Sequence, residues 1–138
     1  MTISVLVDSN IILDLFEGGP TRAWSREALA KAGSTAALAV NPIIWSEISA
    51  RFASEAELTA ALSGLQVEKQ PIPFEAAFLA GKAHLAYRQA GGLRERTLPD
   101  FLVGAHAVAR GHKVLTRDPA RYRTYFPDLE VIAPDTHP

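Results

Sequence analysis

Two short apolar runs, residues 3–7 (ISVLV) and 35–40 (TAALAV), limit most tightly what this chain can fold into. Each is nearly continuous, which suits a strand buried on both faces, as in a parallel sheet. Between and after them the chain carries helical signals. A short apolar stretch at 11–16 is broken by Gly18-Gly19-Pro20. Thr21 is placed to cap a helix to about residue 32, with Gly33 as its stop. Asn41-Pro42 is an N-cap followed by proline at the first helical position, opening a helix over 42–53. Ser54-Glu55-Ala56-Glu57 has the capping-box pattern and opens another helix that closes near Gly64. Residues 66–70 form a connector or short strand. Pro73 opens a long helix to about residue 90, and Pro99-Asp100 starts one that Gly111 stops. Residues 113–116 and 129–133 read as strands, with a turn or loose helix over 117–125. Strands separated by helical segments predict an α/β three-layer sandwich, with a mainly parallel sheet of four to five strands flanked by helices.

A length of 138 residues fits one domain, taken as 1–138. With 48% apolar and 21% charged residues, the composition is globular and not disordered. There is no cysteine, which excludes a disulfide framework, a thiol nucleophile and cysteine-ligated zinc or iron–sulfur sites. Any metal must be held by oxygen or imidazole. The opening MTISVLVDSN lacks the basic start of a signal peptide. No stretch approaches the ~18 apolar residues of a membrane span. The expectation is a cytoplasmic protein with no membrane partner. Neither GxGxxG nor GxxxxGK[ST] occurs, so no glycine-rich phosphate loop is present. Residues 82–123 hold nine Lys/Arg against three acids, a local charge of +6 in a chain of net charge −1. Such a stretch is either an anion-facing surface or a set of scattered solvated arginines.

Four acids stand in unusual places. Asp8 follows the first strand directly, and ligands of parallel sheets bind beyond the carboxyl ends of strands. Asp118 stands two residues after the 113–116 strand, at another carboxyl end, although Asp-Pro also initiates turns. Glu47 falls between Ile43 and Ile44 on a helical projection, on the side facing the protein, with Arg51 one turn on as an ordinary partner. Asp100 heads its helix, where capping alone accounts for an aspartate. Capping leaves one carboxylate oxygen free for another task. If the four converge, each pair at about 4 Å repels by roughly 4 kcal/mol at an effective dielectric of ~20. A hard divalent cation with oxygen ligands, Mg²⁺ or Mn²⁺, is the natural neutraliser in a chain without cysteine.

At these residues the sequence resembles PIN-domain ribonucleases, specifically VapC-type toxins of type II toxin–antitoxin pairs. The resemblance is carried by Val7-Asp8-Ser9-Asn10, Ser46-Glu47-Ile48, Leu98-Pro99-Asp100-Phe101-Leu102 with Ala105, and Leu115-Thr116-Arg117-Asp118, in that order along nearly the whole chain. It implies acids gathered at one end of a parallel sheet and Mg²⁺-dependent hydrolysis of RNA phosphodiesters, with Mn²⁺ as a substitute. Carried over by position, Asp8, Asp100 and Asp118 are the expected metal ligands, and Glu47 completes the catalytic set. Asn10 and Thr116 match polar positions behind the acids. Pro119 and Tyr122 stand where related patterns often place a further acid or Asn.

The basic segment then gains a role. Arg94 and Arg96 precede Asp100, and Arg117, Arg121 and Arg123 surround Asp118, all placed to hold RNA phosphates. Tyr122 and Tyr125 suit core packing better than base stacking, and His84, His106 and His112 suit packing or helix surfaces better than catalysis. Ile11, Ile12, Leu15, Phe16 and Trp24, with Ile43, Ile44, Trp45, Ile48 and Phe52, exceed what one sheet covers. Together with the resemblance, they imply a homodimer that binds a cognate antitoxin. The alternatives are another Mg²⁺-dependent phosphoryl-transfer domain of phosphatase type, or a catalytically inactive PIN interaction module.

Overall fold

The structure is a computed structural model that describes residues 3–92 and 96–138. Five strands form one sheet in the order β3-β2-β1-β4-β5. They are β1 (Ser4–Val7), β2 (Ala37–Val40), β3 (Glu68–Lys69), β4 (Lys113–Leu115) and β5 (Val131–Ile132). Every pairing is parallel. The helices are α1 (Ser9–Glu17), α2 (Arg22–Thr35), α3 (Pro42–Ser49), α4 (Glu55–Leu62), α5 (Phe74–Gln89), α6 (Leu98–Arg110) and α7 (Ala120–Arg123). The expected α/β architecture is therefore observed. β1 is central, and Val5, Leu6 and Val7 are all buried, as its nearly continuous apolar run requires.

The main core joins β1, β2 and β4 to Ile11 and Ile12 of α1, Ile44 and Ile48 of α3, and Tyr122 of α7. A smaller cluster packs Ala76 and Ala80 of α5 against Phe101 and Ala105 of α6 and Phe126. Gly104 of α6 is needed there. A Cβ on it would stand 2.6 Å from the Phe126 ring and 3.1 Å from that of Tyr122. The missing side chain lets the 122–126 segment press onto α6, which fixes where α7 delivers its side chains.

Several boundaries differ from expectation: α1 begins at Ser9, β2 at Ala37, and β5 spans only Val131–Ile132. Gly33 does not stop α2, which runs on to Thr35. A Cβ on Gly33 would lie 3.2 Å from Leu38, so the glycine serves helix-to-strand packing. Thr21 precedes α2 in helical backbone conformation and makes no side-chain cap bond. α3 ends at Ser49, short of residue 53. The other caps behave as expected. Asn41 accepts from the N–H groups of Ile43 and Ile44 at 3.0 Å each, and Ser54 accepts from Glu57 N–H at 3.1 Å. No helix among the described residues is long and apolar enough to cross a membrane.

Candidate functional site

The register of the central strands builds the site. Val7 pairs with Leu115, so the residues that follow them, Asp8 and Thr116, emerge side by side at the carboxyl rim. Asp8 N–H donates to the Leu115 carbonyl at 2.9 Å, which locks the junction. Asp8 is also the N-cap of α1 and is fully buried. Its Oδ1 accepts from Ser9 N–H at 2.8 Å and from Arg121 Nη1 at 2.9 Å. Its Oδ2 accepts from Thr116 Oγ1 at 2.9 Å and from the Tyr122 hydroxyl at 2.7 Å. Both oxygens are thus fully engaged, as a buried carboxylate must be.

Arg121 gathers two further acids. Its Nη2 lies 3.3 Å from Glu47 Oε2 and 3.3 Å from Asp100 Oδ1. The Arg121 side chain is only 7% exposed. Asp100 divides its oxygens as a capping residue with a second task would. Oδ2 accepts from Thr97 N–H at 2.6 Å and from Thr97 Oγ1 at 3.1 Å, and Oδ1 faces Arg121. Arg51, one turn from Glu47, pairs with Glu17 at 2.8 Å and leaves Glu47 to the cluster. Burial, opposed by Arg121 and reinforced by Asp8 and Asp100, raises the Glu47 carboxyl above its ordinary range. Burial works against the charge on Arg121, but Tyr122, Asp8, Glu47 and Asp100 outweigh it and hold the guanidinium more firmly protonated than usual.

Three of the four singled-out acids therefore meet on one guanidinium. The fourth does not join them. Asp118 is half-exposed, and its Oδ2 accepts from Arg96 Nη1 at 3.2 Å. The turn sets its direction, because Asp118 N–H donates to Thr116 Oγ1 at 3.0 Å. Asn10 and Thr116 stand behind the acids. Asn10 Nδ2 donates to Thr116 Oγ1 at 3.2 Å, and Asn10 Oδ1 accepts from Arg117 N–H at 3.0 Å.

The arginines depart from the surface role the sequence assigns them. Arg121 is inside the acid cluster and does not face a ligand from outside. Arg117 forks onto Asp14, with Nε at 2.6 Å from Oδ2 and Nη2 at 3.0 Å from Oδ1. Asp14 is itself buried and accepts a further bond from Ser25. Arg123 pairs with Asp135. Arg94 lies outside the described residues. Neither Arg121 nor Asp14 was singled out as part of a polar core. The one signal for Arg121 is the electrostatic demand of three converging carboxylates for a cation.

The donor set suits a hard cation in kind. Asp8 Oδ1, Glu47 Oε2 and Asp100 Oδ1 all point at one position, and that position already carries a positive charge. Among the described residues no three His, Asp or Glu side chains stand close enough to ligate one ion as they are. The guanidinium stands between the carboxylates. Its Nε is buried and has no hydrogen-bond partner, so Arg121 does not fully satisfy its own seat.

The sequence profile of the PIN domain matches residues 5–127, and the chain belongs to the PIN-domain family. Solved structures show the same fold. VapBC2 from Rickettsia felis, bound to a DNA fragment from its promoter, is 15% identical with a TM-score of 0.74, over 95% of this chain and 98% of that chain. VapBC-1 from nontypeable Haemophilus influenzae is 19% identical with a TM-score of 0.73, over 95% of this chain and 98% of that chain. A toxin–antitoxin complex from Klebsiella pneumoniae is 23% identical with a TM-score of 0.67, over 94% and 97%. No curated protein matches the sequence.

Proposed function

We propose that this chain is a Mg²⁺-dependent endoribonuclease and the toxin of a type II toxin–antitoxin pair. The observation that carries this reading is the convergence of Asp8, Glu47 and Asp100 on one cationic position at the carboxyl end of the central strand. Family membership and the fold it shares with VapBC proteins support it. Asp8 and Asp100 would hold the cation, Glu47 would complete the set, and Asp118 would join on release from Arg96. A bound Mg²⁺ polarises a phosphoryl oxygen and lowers the pKa of water. Thr116, Tyr122 and the Ser9 N–H fix the Asp8 carboxylate in direction. Arg96, part-exposed and paired with Asp118, would hold an RNA phosphate.

The antitoxin reading rests on an apolar groove of about 470 Å³ between α1, α2 and α4, lined by Leu15, Phe16, Leu29, Leu38 and Leu65. Phe16 remains 43% exposed there and meets Phe52 edge-on at 5.5 Å. Ile11, Ile12, Ile44 and Ile48, expected in the same surface, are core residues instead. For the homodimer, α5 offers the larger exposed row, Phe74, Phe78 and Leu85 at helical spacing. The test is incubation of purified protein with RNA and with phosphomonoesters, with Mg²⁺ and with chelator. Cleavage of RNA that needs Mg²⁺ and is lost in Asp8→Asn is expected. Mg²⁺-independent cleavage, or hydrolysis of monoesters alone, contradicts the reading.

A further inference from the structure

The acids form a cation site that already contains a cation. We propose that Arg121 is a resident counter-ion that holds the divalent cation's place among Asp8, Glu47 and Asp100, and must withdraw before a divalent cation binds. This rests on the cation-site reading above and adds to it a residue that sets the site's affinity.

Geometry and electrostatics converge on this reading. Arg121 touches all three carboxylates, through Nη1 to Asp8 at 2.9 Å and Nη2 to Glu47 and Asp100 at 3.3 Å each. A guanidinium and a divalent ion cannot share that position, because like charges in contact at a buried site repel strongly. One positive charge also leaves three carboxylates under-neutralised, so the cluster still attracts a dication. The Arg121 Nε–H is buried without an acceptor, so leaving the cluster gives a stranded donor access to water. Finally, Arg121 is carried on α7, a helix of only four residues outside the sheet. Tyr122 beside it stays bonded to Asp8, so the arginine can swing while the aspartate remains fixed.

The consequence is quantitative. A ligand that binds only the open form is weakened by the fraction of molecules that are open. With Arg121 in place in nine molecules of ten, cation affinity falls roughly tenfold.

The test is Mn²⁺ binding to RNA-free protein, measured by calorimetry and by electron paramagnetic resonance of free Mn²⁺, for the parent, Arg121→Gln and Arg121→Lys. Arg121→Gln is expected to bind roughly tenfold tighter or more. Arg121→Lys keeps the charge and is expected to bind more weakly than Arg121→Gln. Equal or weaker affinity in folded Arg121→Gln overturns the inference and leaves the cation site standing. Binding by neither protein overturns both. Should Arg121→Gln fail to fold, the unmodified protein decides. On Mg²⁺ saturation the arginine Nε–H resonance of Arg121 is expected to shift and to exchange faster with water. A resonance unmoved at saturating Mg²⁺ overturns the inference.

Discussion

Two arginines four residues apart meet buried aspartates on the same helix, and the two encounters differ in kind. Arg117 gives Asp14 a complete partner. Two parallel N–H bonds and the Ser25 hydroxyl satisfy one carboxylate with one guanidinium. Arg121 is spread over Asp8, Glu47 and Asp100, keeps a buried Nε without a partner, and leaves the acids in excess. The first pair is closed and structural. The second is incompletely satisfied and lies at the rim where parallel sheets bind ligands. Excess charge and incomplete hydrogen bonding, not burial alone, separate a site from a scaffold.

Substitution at the two aspartates gives the sharpest break. Asp8→Asn keeps the shape and removes the charge that would face a divalent cation. RNA cleavage is expected to fall by roughly a hundredfold or more, equivalent to about 3 kcal/mol. Asp14→Asn is expected to leave cleavage within a few-fold of the parent once corrected for the folded fraction. Matched cleavage assays on both variants read this out. If Asp14→Asn proves as inactive as Asp8→Asn while fully folded, the division between scaffold and site is wrong.

Stability sorts the arginines in the opposite way. Arg117→Ala strands Asp14 as an unpaired buried charge and is expected to cost about 3 kcal/mol. Mn²⁺ is not expected to restore that loss. Removing Arg121 as Arg121→Gln leaves three mutually repelling acids, a loss that millimolar Mn²⁺ is expected to reverse in thermal melts. Similar recovery of both variants with Mn²⁺ would erase the contrast.

Acid titration distinguishes the rim from the interior between pH 4 and 6.5. His106 is buried beside Asn41 Nδ2, at 3.1 Å from its Nδ1. Burial, with His112 and Arg110 nearby, lowers its pKa from the ordinary 6.5 to about 4. The unfolded chain then binds the extra proton first, so this contribution is complete above pH 6.5 and is lost as pH falls toward 4, up to about 3 kcal/mol. Glu47 has the opposite sign. Its raised pKa means that protonation favours the folded form, so its contribution to stability grows as pH falls through that raised value. Imidazole resonances are expected to give His106 a midpoint near pH 4 and a melting temperature that drops with acid. A midpoint at 6.5 contradicts the buried neutral assignment.

The smallest expected effect lies at the joint that seats α7. Gly104→Ala would push a methyl group into the Phe126 and Tyr122 rings. Overpacking of this kind costs about 1–3 kcal/mol. Displacing Tyr122 is expected to lower cleavage more than the stability loss explains, because the Tyr122 hydroxyl orients Asp8.

What was legible in the sequence followed from local physics. The nearly continuous ISVLV run predicts a strand buried on both faces, and its junction with a helix puts Asp8 at the rim. Asp100 was readable as a cap with a spare oxygen because capping uses only one. Glu47 followed from helical projection. What stayed hidden depended on direction across the fold. In 117–123 every basic residue looks alike, and nothing local tells that Arg121 turns inward while Arg123 meets Asp135. Asp118 looked like a fourth convergent acid, yet its turn aims it at Arg96. Gly33 resembled a helix stop because its contact, Leu38, is on the next strand. The exposed Phe74 and Phe78 of α5 stayed hidden because nothing local distinguishes an aromatic left on a helix surface from one packed in a core.

The central claim is that the under-neutralised cluster, and not the closed Asp14–Arg117 pair, is where a divalent cation binds. Anomalous diffraction from crystals grown in saturating Mn²⁺ tests it most directly. The account predicts an anomalous peak bounded by carboxylate oxygens of Asp8, Glu47 and Asp100, with the Arg121 guanidinium withdrawn and Arg117 still forked onto Asp14. No peak at the rim, with Arg121 still bonded to all three acids at saturating Mn²⁺, would contradict it.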